Sequence, residues 1–410
     1  MSLLFTLALR NLKRNIRRSL ITLLAIAVGL VVILLGICLQ YGSYQEMIRS
    51  GVSQIAGHVV VQKEGYQEER EPLMLLEGTS AIQSALQQQF PNATITNRAF
   101  LSGLLTSTKG PTAANIIAVD AEAEGIVSDF KKKLIDGTWL TDDPKSIVIG
   151  SNMAETLGVE LGDKIIFTAQ YDDSEMRSHL FRVSGIFRMG SPEADSFIAY
   201  SNLALTESVL NKKDVSHQVA VHLDDVQQAS SATSQTQSLI TAPQTEILSW
   251  QQALPDIQKM IDVDKKSNAA IHFVLAVIVA MGILNTMLMS VLERTKELGV
   301  LIAIGMRPRQ LSVMVMLEGL FLGVLGSVLG VALSYVLCYP LVTNGLDMTA
   351  KMGESYDAAG ITMSAVIYGA YNWPKIILYA FIAVVFSTLS AIYPAWHITK
   401  LKPVDAMRHH

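Results

Sequence analysis

Four long apolar segments constrain the fold of this chain more than any other feature. They run from Leu20 to Leu39, Ile271 to Leu292, Leu311 to Val342 and Ile376 to Trp396. An α-helix needs about 20 apolar residues to cross a hydrocarbon core about 30 Å thick, and each segment reaches that length. Only 17% of all residues are charged, against roughly 25% in soluble domains. The sequence therefore predicts an α-helical membrane protein with four transmembrane helices.

Lys and Arg residues are unevenly distributed beside these segments. Twelve lie next to one set of segment ends, including the stretches around Arg14, Arg294 and Lys400, and six lie next to the opposite ends. Cytoplasmic loops of membrane proteins carry the excess of positive charge. We expect both termini to be cytoplasmic and the long stretch between the first two helices to lie outside.

These observations predict nine segments along the chain. They are a cytoplasmic amphipathic helix (1–19), transmembrane helix 1 (20–39, extending as a stalk to about 56), an extracytoplasmic α+β domain (57–255), a stalk with transmembrane helix 2 (256–292), a short cytoplasmic segment (293–310) that we call the coupling segment, transmembrane helix 3 (311–342), a short extracytoplasmic loop (343–375), transmembrane helix 4 (376–396) and a cytoplasmic tail (397–410).

The large domain carries short β-rich runs bounded by Gly, Asn or Asp, such as SIVIG and QVAVHL, alternating with helix-like stretches. The stretch SNMAETLG predicts a helix that ends at Gly158. Residues 224–241 are rich in Ser, Thr and Gln, which indicates either a seam between subdomains or an exposed polar helix. Together these patterns predict a large α+β domain.

Several catalytic signatures are absent. The chain has no GxxxxGK[ST] loop for nucleotide phosphates, no HExxH, no CxxC and no GxSxG, and its eight histidines lack metal-ligand spacing. We predict no metal site, no bound cofactor and no enzymatic activity in this chain. Cys38 and Cys338 both lie in predicted membrane helices, so the outer domain has no disulfide. If the protein moves a substrate or transmits force, the energy must come from a partner.

The segment between the second and third helices combines charge with apolar residues. It opens with charged residues from Glu293 to Glu297, continues with nine uncharged residues from Leu298 to Met306, and closes at Arg307. The charges alone are typical of a stop-transfer flank. The apolar stretch is too short to span a membrane, and Gly299 and Gly305 bracket it. It predicts a segment that lies at the membrane interface or in a groove of a cytoplasmic partner.

The third helix carries one acid and a row of glycines. Glu318 lies about two turns from the cytoplasmic end, so it is either an interfacial acid or part of an interhelical or partner contact. Glycines spaced by four, three and four residues share one helix face and predict close helix packing, within the chain or between subunits. These glycines are Gly319, Gly323, Gly326 and Gly330. A helix over 311–342 would be about 48 Å long and must tilt, break near Pro340 or leave the membrane.

Two motifs carry a family resemblance. KELGVLIAIGMRPRQL resembles the cytoplasmic signature of the FtsX-like, MacB-type ABC transporter permeases, and PAWHITKLKPVDAMR resembles their closing motif. The outer stretches LIDGTWLTDDPKSIVIGSNMAETLGVELGDKIIF and FRVSGIFRMGSPEADSFIAYSNL are more similar to the lipoprotein-releasing permeases than to the macrolide exporter. The stretch QYDDSEMRSHLFR lacks the proline-bearing hook that binds a periplasmic chaperone in one lipoprotein-releasing subunit.

The resemblance implies a permease dimer, homo- or heteromeric, in a bacterial inner membrane, with two copies of a separate ATPase that binds ATP and Mg. It also implies a periplasmic chaperone, adaptor or hydrolase as partner, and no nucleic acid. Lipoprotein release is the leading function; export of a small molecule or peptide and activation of a cell-wall hydrolase are the alternatives. The residues expected to couple to the ATPase are Glu293, Arg294, Lys296, Glu297, Leu298, Gly299, Ile302, Gly305 and Arg307, with Ile302 where the family often has a basic residue.

Overall fold

The computed structural model describes residues 2–14, 16–170, 176–358 and 360–399. The chain divides into two compact units. The helical unit comprises Met1–Tyr44, Asp262–Leu346 and Ile367–His410, and the sheet unit comprises Gln45–Ile261 and Asp347–Val366. Residues 400–410, which form most of the predicted cytoplasmic tail, lie outside the described residues. So do residues 171–175, which belong to the stretch QYDDSEMRSHLFR that lacks the chaperone-binding hook.

Helices and strands are numbered here in chain order. The helices are α1 Ser2–Arg14, α2 Ile16–Gln54, α3 Tyr66–Glu69, α4 Thr79–Gln89, α5 Ala121–Val127, α6 Asp129–Lys132, α7 Ser151–Leu157, α8 Pro192–Phe197, α9 Ala204–Leu210, α10 Ala229–Leu239, α11 Trp250–Ala253, α12 Pro255–Glu293, α13 Thr295–Ala303, α14 Pro308–Thr343, α15 Thr349–Met352, α16 Trp373–Ser390 and α17 Ile392–Thr399. The strands are β1 Val59–Lys63, β2 Leu76–Glu77, β3 Thr94–Thr106, β4 Pro111–Val119, β5 Leu134–Gly137, β6 Ser146–Gly150, β7 Lys164–Ala169, β8 Arg177–Phe187, β9 Ile198–Asn202, β10 Val215–Ser216, β11 Gln218–His222, β12 Thr245–Ser249, β13 Leu346–Asp347, β14 Ser355–Ala358, β15 Ile361–Ser364 and β16 Val366–Ile367.

Within the described part of the chain, four helical stretches are long and apolar enough to cross a membrane. They are Ser19–Gln54, Pro255–Glu293, Pro308–Thr343 and Trp373–Thr399. Helices α2 and α12 each contain 39 residues. At about 1.5 Å per residue each is about 58 Å long, well beyond a hydrocarbon core of about 30 Å. Each of these two helices therefore extends past its predicted membrane segment.

The fourth stretch differs from the single helix predicted over 376–396. Helix α16 ends at Ser390, and α17 begins at Ile392. Pro394 explains the break, because its ring would clash with the carbonyl four residues earlier, at Ser390, and it offers no N–H to that carbonyl. Helix α14, by contrast, continues through Pro340 to Thr343.

The glycine row of α14 lies against helices of the same chain. All four glycines are buried. A Cβ atom at Gly323 would lie 2.9 Å from the Cβ of Ser387 on α16, and one at Gly326 would lie 2.8 Å from an isoleucine Cβ on α2. Gly319 faces the turn between α16 and α17, and Gly330 faces α2. The row therefore brings two helices close to α14, one at each end.

The sheet unit is built around a closed ring of six strands. Going round the ring, the strands are β3, β4, β9, β6, β8 and β7, and β7 returns to β3. The pairs β4–β9 and β6–β8 are parallel, and the other pairs are antiparallel. Strands β11, β1 and β12 extend the sheet from β3, and β5 pairs with β8. Apolar side chains including Leu101, Ile149 and Phe181 fill its core.

The α+β class is confirmed, and the long strand β3 is the main element that the pattern missed. It contains polar residues such as Asn97 and Arg98 that are nevertheless buried, so it lacks the apolar alternation expected of a strand. Residues 229–239 form the helix α10, which buries Ala232 and Thr233 on one face. Of the two interpretations of residues 224–241, a seam between subdomains or an exposed polar helix, the structure thus supports the helix.

The predicted short loop over 343–375 is not one separate element. Its central part, Asp347–Val366, belongs to the sheet unit. The Gln54 side-chain amide donates to the Thr362 carbonyl at 2.8 Å, and the Thr362 N–H donates back to the Gln54 Oε1 at 3.1 Å. The Ser355 hydroxyl donates to the Met189 carbonyl at 2.6 Å. These buried hydrogen bonds hold the segment on the sheet unit.

Candidate functional site

The coupling segment contains a short helix with defined ends. Helix α12 stops at Glu293, and the Thr295 hydroxyl donates to the Leu292 carbonyl at 2.7 Å, taking up one of its last free acceptors. Helix α13 ends where Gly305 adopts a φ of +105°. The Met306 N–H donates to the Leu301 carbonyl and the Gly305 N–H to the Ile302 carbonyl, both at 3.0 Å, which is the Schellman pattern.

Helix α13 has two faces with different surroundings. Leu298 and Gly299 are buried, and Ile302 packs against the same apolar cluster of the helical unit. Val300 is 46% exposed and Ile304 is 79% exposed. The prediction that this stretch lies at the membrane interface or in a partner's groove is therefore corrected for its inner face, because that face fills the core of its own chain. Ile302 is apolar because its neighbours there are apolar.

Glu318 is buried and has two polar partners in the chain. Its carboxylate accepts a hydrogen bond from the Asn11 amide at 2.8 Å and lies 3.4 Å from the Arg294 guanidinium. Only 8% of the Glu318 side chain and 11% of the Arg294 side chain are exposed. Of the two interpretations left open by the sequence, this geometry is an interhelical contact, not an acid at the lipid interface.

Glu297 extends this contact to a second anion. Its carboxylate pairs with Arg14 and lies 3.4 Å from Arg294. Asn11, Glu318, Arg294, Glu297 and Arg14 thus form one continuous series, which we call the polar network. Its first and last members both lie on α1, so the network joins α1, the start of α13 and the membrane helix α14.

The members of the polar network differ in energetic weight. Arg14 and Glu297 are more than half exposed, and pairs of this kind contribute about 0–1 kcal/mol. Removing one partner from a buried pair such as Arg294–Glu318 costs about 3–5 kcal/mol, because the remaining charge stays in a poor solvent. The buried Arg294–Glu318 pair therefore fixes the geometry of the polar network. The exposed Arg14–Glu297 pair is free to exchange partners.

The sequence did not identify the contribution of α1 to the core of the helical unit and to the polar network. It predicted an amphipathic helix on the inner leaflet, whereas Ala8 is fully buried in the core of the helical unit and the Phe5 ring stands edge-on to Phe321 at 4.8 Å. Asn11 and Arg14 are polar network members that carried no sequence signal beyond a basic flank. Nothing local in the sequence indicates which distant carboxylates they meet.

The remaining coupling residues lie on the surface. Glu293, Lys296 and Arg307 are exposed, as is Gly305. Together with Val300 and Ile304, these exposed residues make up what we call the coupling face, which combines apolar and charged side chains. Exposed apolar patches are typical of protein interaction sites. Among the described residues, no group of three or more His, Cys, Asp or Glu side chains could hold a metal ion.

A second polar cluster lies in the sheet unit at the end of α2. The Arg98 guanidinium, on β3, makes two hydrogen bonds of 2.8 and 2.9 Å to the Glu124 carboxylate. It also donates to the carbonyls of Ser53 and Ala56, at 2.7 and 3.3 Å. Both charged side chains are fully buried. We call this arrangement the arginine clamp, because it satisfies carbonyls at the C-terminus of α2 and binds that helix end to β3.

Comparisons with known protein families cover almost the whole chain. A model described as the FtsX-like permease C-terminal matches residues 269–403. A second model, described as the MacB-like periplasmic core domain, matches residues 19–239, which is more than half of the chain. The first match contains the coupling face and the second contains the arginine clamp.

Individual relatives have low sequence identity to this chain, and two of them align with almost its whole length. The lipoprotein-releasing system transmembrane protein LolC of Xylella fastidiosa is 23% identical over 407 residues, covering 95% of this chain and 94% of the relative. An uncharacterised ABC transporter permease of Methanocaldococcus jannaschii is 21% identical over 431 residues, covering 99% and 97%. The macrolide export ATP-binding/permease protein MacB of Bdellovibrio bacteriovorus is 29% identical over 188 residues, covering 46% and 22%.

Proposed function

Because the chain belongs to the FtsX-like, MacB-type family of ABC transporter permeases, we propose that it converts ATP hydrolysis by a separate ATPase into motion of its periplasmic domain. The observation that carries this proposal is the coupling face. Ile304 is 79% exposed at the end of a short helix whose other side is anchored in the helical unit. Such a surface is suited to receive force from a partner, and the ATP and Mg would be bound by that partner.

The polar network supports a route for that force into the membrane helices. Arg294 is the single residue between α12 and α13, and its guanidinium contacts both Glu297 and Glu318. A push on α13 would therefore reach α12 through the backbone and α14 through the buried ion pair. The exposed pair between Arg14 and Glu297 would break and re-form at little cost during each cycle.

The arginine clamp supports a route for the same motion into the sheet unit. Helix α2 ends at Gln54, and its last carbonyls are held by Arg98, whose partner Glu124 lies on α5. The Gln218 side chain also donates to the Ile55 carbonyl, at 2.7 Å. A rotation or tilt of α2 would thus act on β3 and β11 together.

For the substrate, we propose release of lipoproteins from the inner membrane, by a dimer of permeases with two ATPase copies and both permease termini in the cytoplasm. Support comes from relatives named as lipoprotein-releasing proteins that align over nearly their whole length. Whether the second permease copy is identical to the first is decided by purification of the complex. The chain itself would carry no catalysis.

The coupling face is tested by a charge at Ile304. We expect Ile304→Asp to weaken ATPase binding by about 30-fold, the equivalent of about 2 kcal/mol for an anchor residue of an interface. Affinity is measured by titrating the purified ATPase onto the permease in nanodiscs. The matched control is Ile126→Asp, an isoleucine of the sheet unit that is 64% exposed. Equal affinities for Ile304→Asp and the wild type would contradict this coupling role.

The substrate is tested in proteoliposomes that contain the permease, its ATPase and an acylated lipoprotein. We expect ATP to release the lipoprotein to a soluble acceptor, and Ile304→Asp to abolish release. If hydrolysis proceeds without release, and photocrosslinking from Met260 captures a soluble hydrolase or an export adaptor instead, lipoprotein is the wrong substrate and the corresponding alternative function replaces it.

A further inference from the structure

The two cysteines of the chain meet in the structure. Cys38 and Cys338 are the only cysteines in 410 residues and are 300 positions apart. A buried residue touches about 6–12 others, so two given residues of such a chain would touch by chance in only about 1.5–3% of cases. Cys38, on α2, and Cys338, on α14, nevertheless line the same cavity of the helical unit, and their side chains interact with each other.

The chain around the two thiols is closely packed. The Ala370 N–H donates to the Cys38 carbonyl and the Gly369 N–H donates to the Leu341 carbonyl, both at 2.9 Å. A Cβ at Gly369 would lie 2.7 Å from the Cys38 sulfur, so a larger residue there would have to displace that side chain. Each cysteine is 3% exposed. One backbone segment therefore bridges both helices beside the thiols and holds them together.

The thiols nevertheless border an open space. Both cysteines line an apolar cavity of about 780 Å³ within the helical unit. Three aromatic rings line the same cavity: Tyr335 and Tyr371 are stacked at 5.1 Å and 21°, and Tyr371 and Trp373 at 6.0 Å and 22°. Flat, apolar molecules dissolved in a bilayer can enter such a cavity and stack on its rings. Charged water-soluble oxidants are disfavoured there.

We propose that Cys38 and Cys338 are a redox pair that closes to a disulfide between α2 and α14, with a lipid-soluble quinone in this cavity as the oxidant. In the reaction two S–H bonds break and one S–S bond forms. The two electrons and two protons pass to the quinone, which becomes a quinol. The disulfide ties the first membrane helix to the third, and a dithiol reductant reverses it. This inference does not depend on the proposed transport function.

The test uses the full-length protein in nanodiscs. Tetramethyl-1,4-benzoquinone is the probe, because its ring carbons are all substituted and it oxidises thiols without readily adding to them. After treatment the protein is denatured in SDS and labelled with a maleimide, and the labels are counted by mass spectrometry. We expect two labels before quinone, none after it, and two again after dithiothreitol, with no change in the monomer band on a non-reducing gel.

Single-cysteine variants supply the controls. In Cys38→Ser and Cys338→Ser the remaining thiol has no partner, so we expect it to keep its one label after quinone. Glutathione disulfide, which is charged and water-soluble, should remove labels from the wild type at least tenfold more slowly. Retention of both labels by the quinone-treated wild type would overturn the proposal, and so would a disulfide-linked dimer. Because the wild-type protein gives the main result, the conclusion survives if a variant fails to fold.

Discussion

Glu318 is an acid inside a membrane-spanning helix, and two residues that are distant in the sequence provide the polar partners of its carboxylate. Asn11 donates to its carboxylate and Arg294 pairs with it, so the charge is satisfied within the chain. Ile302 shows the opposite case, since its apolar side chain packs against the apolar core of the helical unit. In both positions the side chain follows its surroundings, and those surroundings come from residues elsewhere in the chain.

His217 makes the stability of the sheet unit sensitive to pH. Its Nδ1 accepts a hydrogen bond from the Phe100 N–H at 3.0 Å, while its Nε2 lies 3.0 Å from the Pro72 carbonyl. The ring therefore fits best as the neutral form with the proton on Nε2. Burial lowers the pKa of His217 from its ordinary value of 6.5 to about 4. Burial also lowers the pKa values of His58 and His222.

From these shifts we expect the protein to lose stability as the pH falls from 6.5 to 4. In that window the unfolded chain binds a proton at His217 and the folded chain does not, so acid favours unfolding. The expected contribution of His217 is roughly 3 kcal/mol across the window. Thermal unfolding of the full-length protein in detergent at several pH values measures it. His217→Gln should flatten the slope; a slope as steep as the wild type would refute the assignment to His217.

Helix α13 shows how one short element serves two environments. Its inner face fills the core of the helical unit, and its outer face presents Val300 and Ile304 to solvent. Helix α14 uses its glycine row in a related way, because the missing side chains admit α16 near one end and α2 near the other. The break between α16 and α17 then turns the chain back onto α14, where the Ser312 hydroxyl donates to the Ala395 carbonyl at 2.7 Å.

The packing of α14 against α16 can be tested with a larger residue. Gly323→Leu should lower the stability of the permease by about 1–3 kcal/mol, because its new side chain must displace Ser387. The measurement is the thermal midpoint in detergent. Val324→Leu is the matched control, since the neighbouring Val324 is 43% exposed and should change stability by less than about 0.5 kcal/mol. Equal midpoints for both variants would mean that α14 tolerates a side chain on its glycine face.

At the scale of the whole molecule, helix α2 is one of the elements whose residues belong to both units. Helix α2 runs from Ile16 in the helical unit to Gln54 in the sheet unit as one helix. At its far end Arg98 donates to the Ser53 carbonyl in the last turn of α2, and the Gln54 side chain exchanges two hydrogen bonds with the Thr362 backbone. Within the sheet unit, the end of α2 is thus held by buried, directional hydrogen bonds.

The clamp can be removed without leaving a buried charge. Arg98→Leu alone strands Glu124 and should destabilise the protein by about 3–5 kcal/mol, whereas Arg98→Leu/Glu124→Leu removes both charges and should fold. If the proposed transport function is correct, this double variant should hydrolyse ATP normally but release substrate about tenfold more slowly. The control is Lys213→Met/Glu207→Gln, which removes an exposed pair. Wild-type release by the Arg98/Glu124 variant would exclude a mechanical role for the clamp.

The amino-acid pattern was sufficient for the four membrane helices and the α+β class of the large domain, because length and hydrophobic periodicity are local properties. Four apolar segments predicted four membrane helices, the pattern of residues 146–158 predicted β6 and α7 to within a residue, and the signature around Gly299 predicted the family. The tertiary structure alone decided the contacts between distant positions. Arg98 closes on Glu124, Asn11 meets Glu318 and Cys38 meets Cys338 because packing brings their helices and strands together, and no local pattern encodes that.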